Sequence, residues 1–225
     1  MIKYYNRQKS KDIILLSGWA MDHRIFSDLD IDYNYYVYEG FINAKTEEEL
    51  LDLIKTNKGI SILGWSLGGF VAYQIAIKMP QIFEHVILSA VRNKYDPEVV
   101  KKIKGFIEKS KAAYLTSFYK ACYENCDKSK YLLFKDELLK YYLAETIVDD
   151  LFFGLDYMVN NEIGNNTLAN SRVTIINGLK DTIVTDSKCG GLPSLGIDCG
   201  HMTILCNDIS AILNNNHHHG KTRII

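Results

Sequence analysis

The sequence predicts an α/β fold: a mainly parallel sheet flanked by helices, carrying a helical lid insertion. Three observations predict it. Short apolar runs that stop at glycine or serine alternate with segments of helical period. From about Asp96-Pro97 to Asn166 the chain is helical in period throughout, rich in tyrosine, lysine and leucine. Beyond Asn166 the strand pattern resumes. The expected organisation is a core from 1–96 and 167–225 with a lid from 97–166, placed over the carboxyl ends of the strands, where open α/β sheets bind ligands.

Taken in order, Ile13–Leu16 is apolar and halts at Ser17-Gly18, as a buried parallel strand does. "YNYYVYEG" is a tyrosine-rich second strand. "TEEELLDLIKTNKG" reads as an amphipathic helix with a Thr46/Glu49 capping box, closing at Gly59. "ISILG" is a third strand. "SLGGFVAYQIAIKMP" is apolar almost all round and predicts a helix buried on most sides. "HVILSAV" is a fourth strand, followed by about four inserted helices. "SRVTIING" and "LPSLGIDCG" are strands, and "TILCNDISAIL" is a closing helix.

Composition narrows the function. The formal net charge is -1, so nothing points to nucleic acid or an anionic membrane as partner. No stretch is apolar for long enough to span a bilayer, and "MIKYYNRQKSKD" has no signal-peptide core, so a cytoplasmic protein is expected. The five cysteines include no CxxC pair and read as reduced structural thiols. Cys122 and Cys126 stand one helical turn apart, but a metal role is not expected of them, nor of the tail histidines His217, His218 and His219.

"ILGWSLGGF" carries the chemistry. Gly64-Trp65-Ser66-Leu67-Gly68 fits G-x-S-x-G between a strand and a helix, the context of a nucleophile elbow. A serine there is forced into a strained backbone so that its hydroxyl projects, and only glycine-sized neighbours fit around it. Serine needs a base. His201, in a loop after the last short strand, stands where the base belongs; His23 follows the first strand and His85 precedes another. Asp181 follows the strand "VTIIN" and is preferred as the acid to Asp186 and Asp198. The backbone N–H groups of Leu67 and Trp19 are the expected oxyanion donors. Trp19 also reads as a core tryptophan. Tyr114, Phe118, Phe152 and Phe153 are candidates for lining an acyl channel, or else plain core of the insertion; Phe118 is taken as a substrate-binding residue.

These segments resemble the α/β-hydrolase superfamily and, within it, the pimeloyl-carrier-protein methyl ester esterases of biotin synthesis. "LLSGWAMDHRIFSDL", the elbow with its helix and next strand, and "FGLDYMVNNEIGNNTLANSRVTIINGLKDTIV" carry the likeness. The chain departs from the family pattern in three places. Ser17 stands where histidine is usual, "YVYEGFINAKT" lacks the Asp-Leu-Pro-Gly-x-Gly run, and the stretch from Asp181 to His201 is short enough to have lost a helix. The resemblance implies a serine carboxylesterase that needs no cofactor or metal, acting on a small acyl ester or one borne by an acyl carrier protein. Competing readings are a thioesterase, a small-metabolite lipase, a C–C bond hydrolase, or a binding module on the same fold. Residues 99 to 120 hold six lysines against one acid, which is either a solvated helix face or a dock for an acidic carrier.

Overall fold

The structure is a computed structural model that describes residues 1–164, 172–186, 189, 192 and 194–215. The tail histidines, and the last residues of the expected lid, lie outside the described residues. Seven strands form one sheet in the order β1-β3-β2-β4-β5-β6-β7. They are β1 (Ile2–Tyr5), β2 (Asp12–Leu16), β3 (Asn34–Tyr38), β4 (Ile60–Trp65), β5 (Phe83–Ser89), β6 (Arg172–Gly178) and β7 (Ser194–Ile197). Every pairing is parallel except that of β1 with β3. The helices are α1 (Thr46–Ile54), α2 (Leu67–Lys78), α3 (Pro97–Cys122), α4 (Lys128–Phe134), α5 (Lys140–Glu145), α6 (Val148–Asn160) and α7 (Asn207–Asn215).

Burial explains the strand sequences. β4 is buried along its whole length because it sits at mid-sheet with helices on both faces, so its residues run apolar rather than alternating. α2 packs directly behind it and is buried on nearly all sides, as its apolar sequence predicts. Helices α3 to α6 fall between β5 and β6. Asp96 caps α3 by accepting from the Glu98 amide, with Pro97 at the first helical position. The backbone of α3 leaves helical geometry at Ser110.

One strand is added to those the sequence predicts, and two readings are corrected. β1 is an added edge strand, a short, mostly exposed antiparallel partner of β3 that the apolar pattern does not reveal. The Thr46/Glu49 capping box is absent. The N-cap is Lys45, so Thr46 is the first helical residue, and its hydroxyl instead accepts from the Asn43 amide in the preceding turn. α1 also ends at Ile54 rather than Gly59; Gly59 takes a left-handed φ of 72° just before β4, a turn conformation natural to glycine.

Candidate active site

Ser66 occupies the single residue between β4 and α2. Its φ of 55° and ψ of -118° lie where a side chain is strained, a cost of about 1–3 kcal/mol that the surroundings must hold. They do so by hydrogen bonds: the Ser66 amide donates to the Ser89 carbonyl at 2.8 Å, and the Gly69 amide to the Ser66 carbonyl at 2.9 Å. The flanking glycines are needed for space. A Cβ on Gly64 would fall 2.1 Å from the Gly68 carbonyl oxygen, and one on Gly68 2.4 Å from the Leu16 carbonyl oxygen. Both contacts are to backbone, which cannot swing aside.

His201 follows β7 and is 1% exposed. Its Nε2 lies 3.2 Å from Ser66 Oγ and its Nδ1 2.8 Å from Asp181 Oδ2. An ionised carboxylate only accepts, so Nδ1–H donates to Asp181 and Nε2 is left to accept from the serine. The other Asp181 oxygen accepts from the Ile183 and Val184 amides, each at 2.8 Å, which fixes the carboxylate plane. Burial alone raises the Asp181 pKa. The hydrogen bond and charge of His201, with the two amides, outweigh that and hold the carboxyl below its ordinary value. Ser66, Asp181 and His201 are thus brought together from three distant parts of the chain.

Trp19 and Leu67 meet beside Ser66. Among the described residues no hydrogen bond is made by either of their amides. The Trp19 indole is buried, with Nε1–H donating to the Leu151 carbonyl of α6 at 2.8 Å. Gly154 of α6 lies against both residues; a Cβ there would sit 2.7 Å from the Trp19 ring and 2.8 Å from the Leu67 side chain. Phe118 is half-buried and meets the Trp19 ring edge-on at 4.9 Å, with Tyr114 at 6.3 Å. Phe152 and Phe153 are partly buried against the core.

The remaining candidates lie elsewhere. His23 is in a 3-10 turn beside Asp22 and Glu39, both 4.0 Å away, and makes no contact with Ser66 among the described residues. His85 is in β5 next to Glu84. Asp198 is exposed and paired with Lys180 at 2.7 Å. All five cysteines are free thiols. Two supporting groups escape sequence reasoning. Trp65 Nε1–H donates to the His201 carbonyl at 2.9 Å, and the Ser89 and Thr203 hydroxyls share a hydrogen bond of 2.6 Å. Trp65 sits inside the elbow motif, but nothing local shows that its indole reaches a residue so far along the chain.

A mainly parallel sheet with a strained serine at the end of its middle strand, and a histidine and aspartate on loops after later strands, is the α/β-hydrolase fold. Solved structures share it. The chain aligns over 90% of its length with a hydrolase from Pseudomonas aeruginosa PA01, covering 87% of that chain at TM-score 0.66 and 16% identity. It aligns over 94% with an esterase from Exiguobacterium antarcticum, covering 91% of it at TM-score 0.68 and 11% identity. In sequence it is similar to two proteins named pimeloyl-[acyl-carrier protein] methyl ester esterase. One, from Photobacterium profundum, is 28% identical over 103 residues; the other, from Aeromonas salmonicida, is 32% identical over 95. These matches span 40% and 35% of this chain, and only 41% and 37% of the relatives' lengths. No family model matches the chain.

Proposed function

We propose that the protein is a serine carboxylesterase whose nucleophile is Ser66. The observation that carries this reading is the hydrogen-bonded chain from Ser66 through His201 to Asp181, built on a strained serine. In the proposed reaction Ser66 Oγ attacks the ester carbonyl while His201 Nε2 takes its proton. The Leu67 and Trp19 amides bind the oxyanion, and His201 returns the proton to the leaving alcohol. Water, activated by the same imidazole, then cleaves the acyl-enzyme. Asp181 holds the ring in the required tautomer and stabilises its charged form.

The proposed substrate is the methyl ester of an acyl chain borne by an acyl carrier protein, of the pimeloyl kind that the named relatives suggest. In this reading residues 97–166 act as a lid, with α6 closing over Trp19 and Leu67 and Phe118 lining the acyl site. A basic surface on α3 supports an acidic partner. Lys101, Lys102, Lys109 and Lys120 are exposed, with exposed Val99 and Phe106 on the same helix. Lys104 and Lys111 are withdrawn from that surface, the first paired with Asp156 and the second bonded to the Thr146 carbonyl.

A fluorophosphonate probe tests the nucleophile. It is expected to label Ser66 in the wild-type protein and not in Ser66→Ala. Ser66→Ala and His201→Ala are each expected to lower ester hydrolysis by about 10³-fold or more, with the double variant little worse than either single one. A folded protein that neither labels nor hydrolyses short-chain esters would overturn the proposal.

A further inference from the structure

The acid and base loops are gripped by a turn that the catalytic chain does not include. Tyr123 to Asp127 link α3 to α4. Within this turn, Asn125 Nδ2 donates to the carbonyl of Lys180 at 2.9 Å. Lys180 immediately precedes Asp181. Glu124 contacts both loops as well. Its carboxylate accepts from the Thr182 hydroxyl at 3.1 Å, and its carbonyl oxygen lies so close to Gly200 that a Cβ there would be only 2.0 Å away. Gly200 immediately precedes His201. The two loops also join each other, through the Lys180 amide and the Cys199 carbonyl at 2.9 Å.

The turn is shaped for this contact. Asn125 has a φ of 61°, the left-handed region that asparagine and glycine tolerate best. At this turn the Asn125 side chain meets the Lys180 carbonyl and the Glu124 carbonyl lies against Gly200. Helix α3 ends in the buried Cys122 and α4 in the buried Phe134, so the turn is anchored on both sides.

We propose that Asn125 is a positioning residue: the α3–α4 turn sets the relation between the Asp181 and His201 loops, and so the geometry of the Asp181–His201 hydrogen bond. The proposal rests on the esterase reading for its effect on rate, but not for its effect on that bond. A displacement of about 1 Å in a catalytic group costs on the order of 10²-fold in rate. A role in geometry, not in substrate binding, acts on kcat rather than KM.

Asn125→Gly keeps the left-handed backbone accessible and removes only the amide. It is expected to lower kcat on a p-nitrophenyl ester by about 10- to 100-fold with KM unchanged. The downfield proton NMR signal of His201 Nδ1–H is expected to shift or broaden, while the melting curve stays cooperative. Thr182→Val, an exposed substitution that removes the Glu124 contact, is expected to move the same two readouts less far, and it decides the matter if Asn125→Gly does not fold. Wild-type kcat and an unmoved His201 signal in the folded variants would overturn the proposal. If the wild-type protein shows no hydrolysis, the esterase reading fails on its own, and the NMR signal still decides whether the turn positions the pair.

Discussion

At the scale of the residue, Asp181 is the most informative single group. Its carboxyl is held below the ordinary range even though its side chain is buried, because His201 and two amides favour the charged form. The sign of the pH effect follows. A group whose pKa is lowered by folding contributes stability that is present above its unfolded pKa and is lost as pH falls through the folded value. Wild-type protein is therefore expected to keep its advantage over Asp181→Asn down to about pH 5 and to lose it as pH falls through about 4 and below. Urea midpoints measured from about pH 7 to about pH 2 check this; a constant gap would show that the folded protein does not favour the charged carboxylate. Asp22 behaves in the same way. It is buried, which by itself raises its pKa, but Arg24, the Tyr142 hydroxyl and the Arg24 amide lower it. Tyr142 belongs to α5, so this carboxylate ties the loop after β2 to the inserted helices.

At the scale of the element, α6 matters most. Its sequence is amphipathic and predicts a helix, but not which surface the helix covers. Two features place it: the Trp19 Nε1–H bond to the Leu151 carbonyl and the close approach at Gly154. Trp19→Phe keeps an aromatic ring and removes the bond. It is expected to cost about 1 kcal/mol and to raise hydrogen exchange in α6 while β4 and β5 stay protected. Unchanged exchange in α6 would show that shape, not the indole bond, holds the helix. The elbow itself was legible as an element, because glycine spacing, a preceding apolar run and a following apolar helix are all local. The edge strand β1 was not. Four mostly exposed residues become a strand only because β3 presents an unpaired edge beside them.

At the scale of the whole molecule, the chain is near neutral but its charge is unevenly placed. The exposed lysines of α3 form a basic surface on the inserted helices. If an acidic carrier docks there, kcat/KM for carrier-bound ester is expected to fall as salt rises, while a small uncharged ester is unaffected. Changing Lys101, Lys102 and Lys109 to glutamate is expected to reproduce that selective loss by about 10-fold or more. Lys104 is a poor choice for this test, since its pairing with Asp156 gives it a role between α3 and α6. An equal salt response for both substrates would identify the surface as an ordinary solvated face.

The sequence by itself determined the order of strands and helices from β2 onward, the elbow, and the types of residue grouped around it. These depend on neighbours along the chain: apolar runs, helical spacing, and glycines where backbones crowd. It also pointed to His201 and Asp181, since each follows a recognisable strand. Only the tertiary structure decided that His201 lies within hydrogen-bonding distance of both Ser66 and Asp181. The same is true of the Trp65 indole on the His201 carbonyl, and of Asn125 on the carbonyl before Asp181. The reason is physical. Periodicity reports which face of an element is buried, but contacts between residues far apart in sequence depend on sheet order and loop path, which no local pattern encodes.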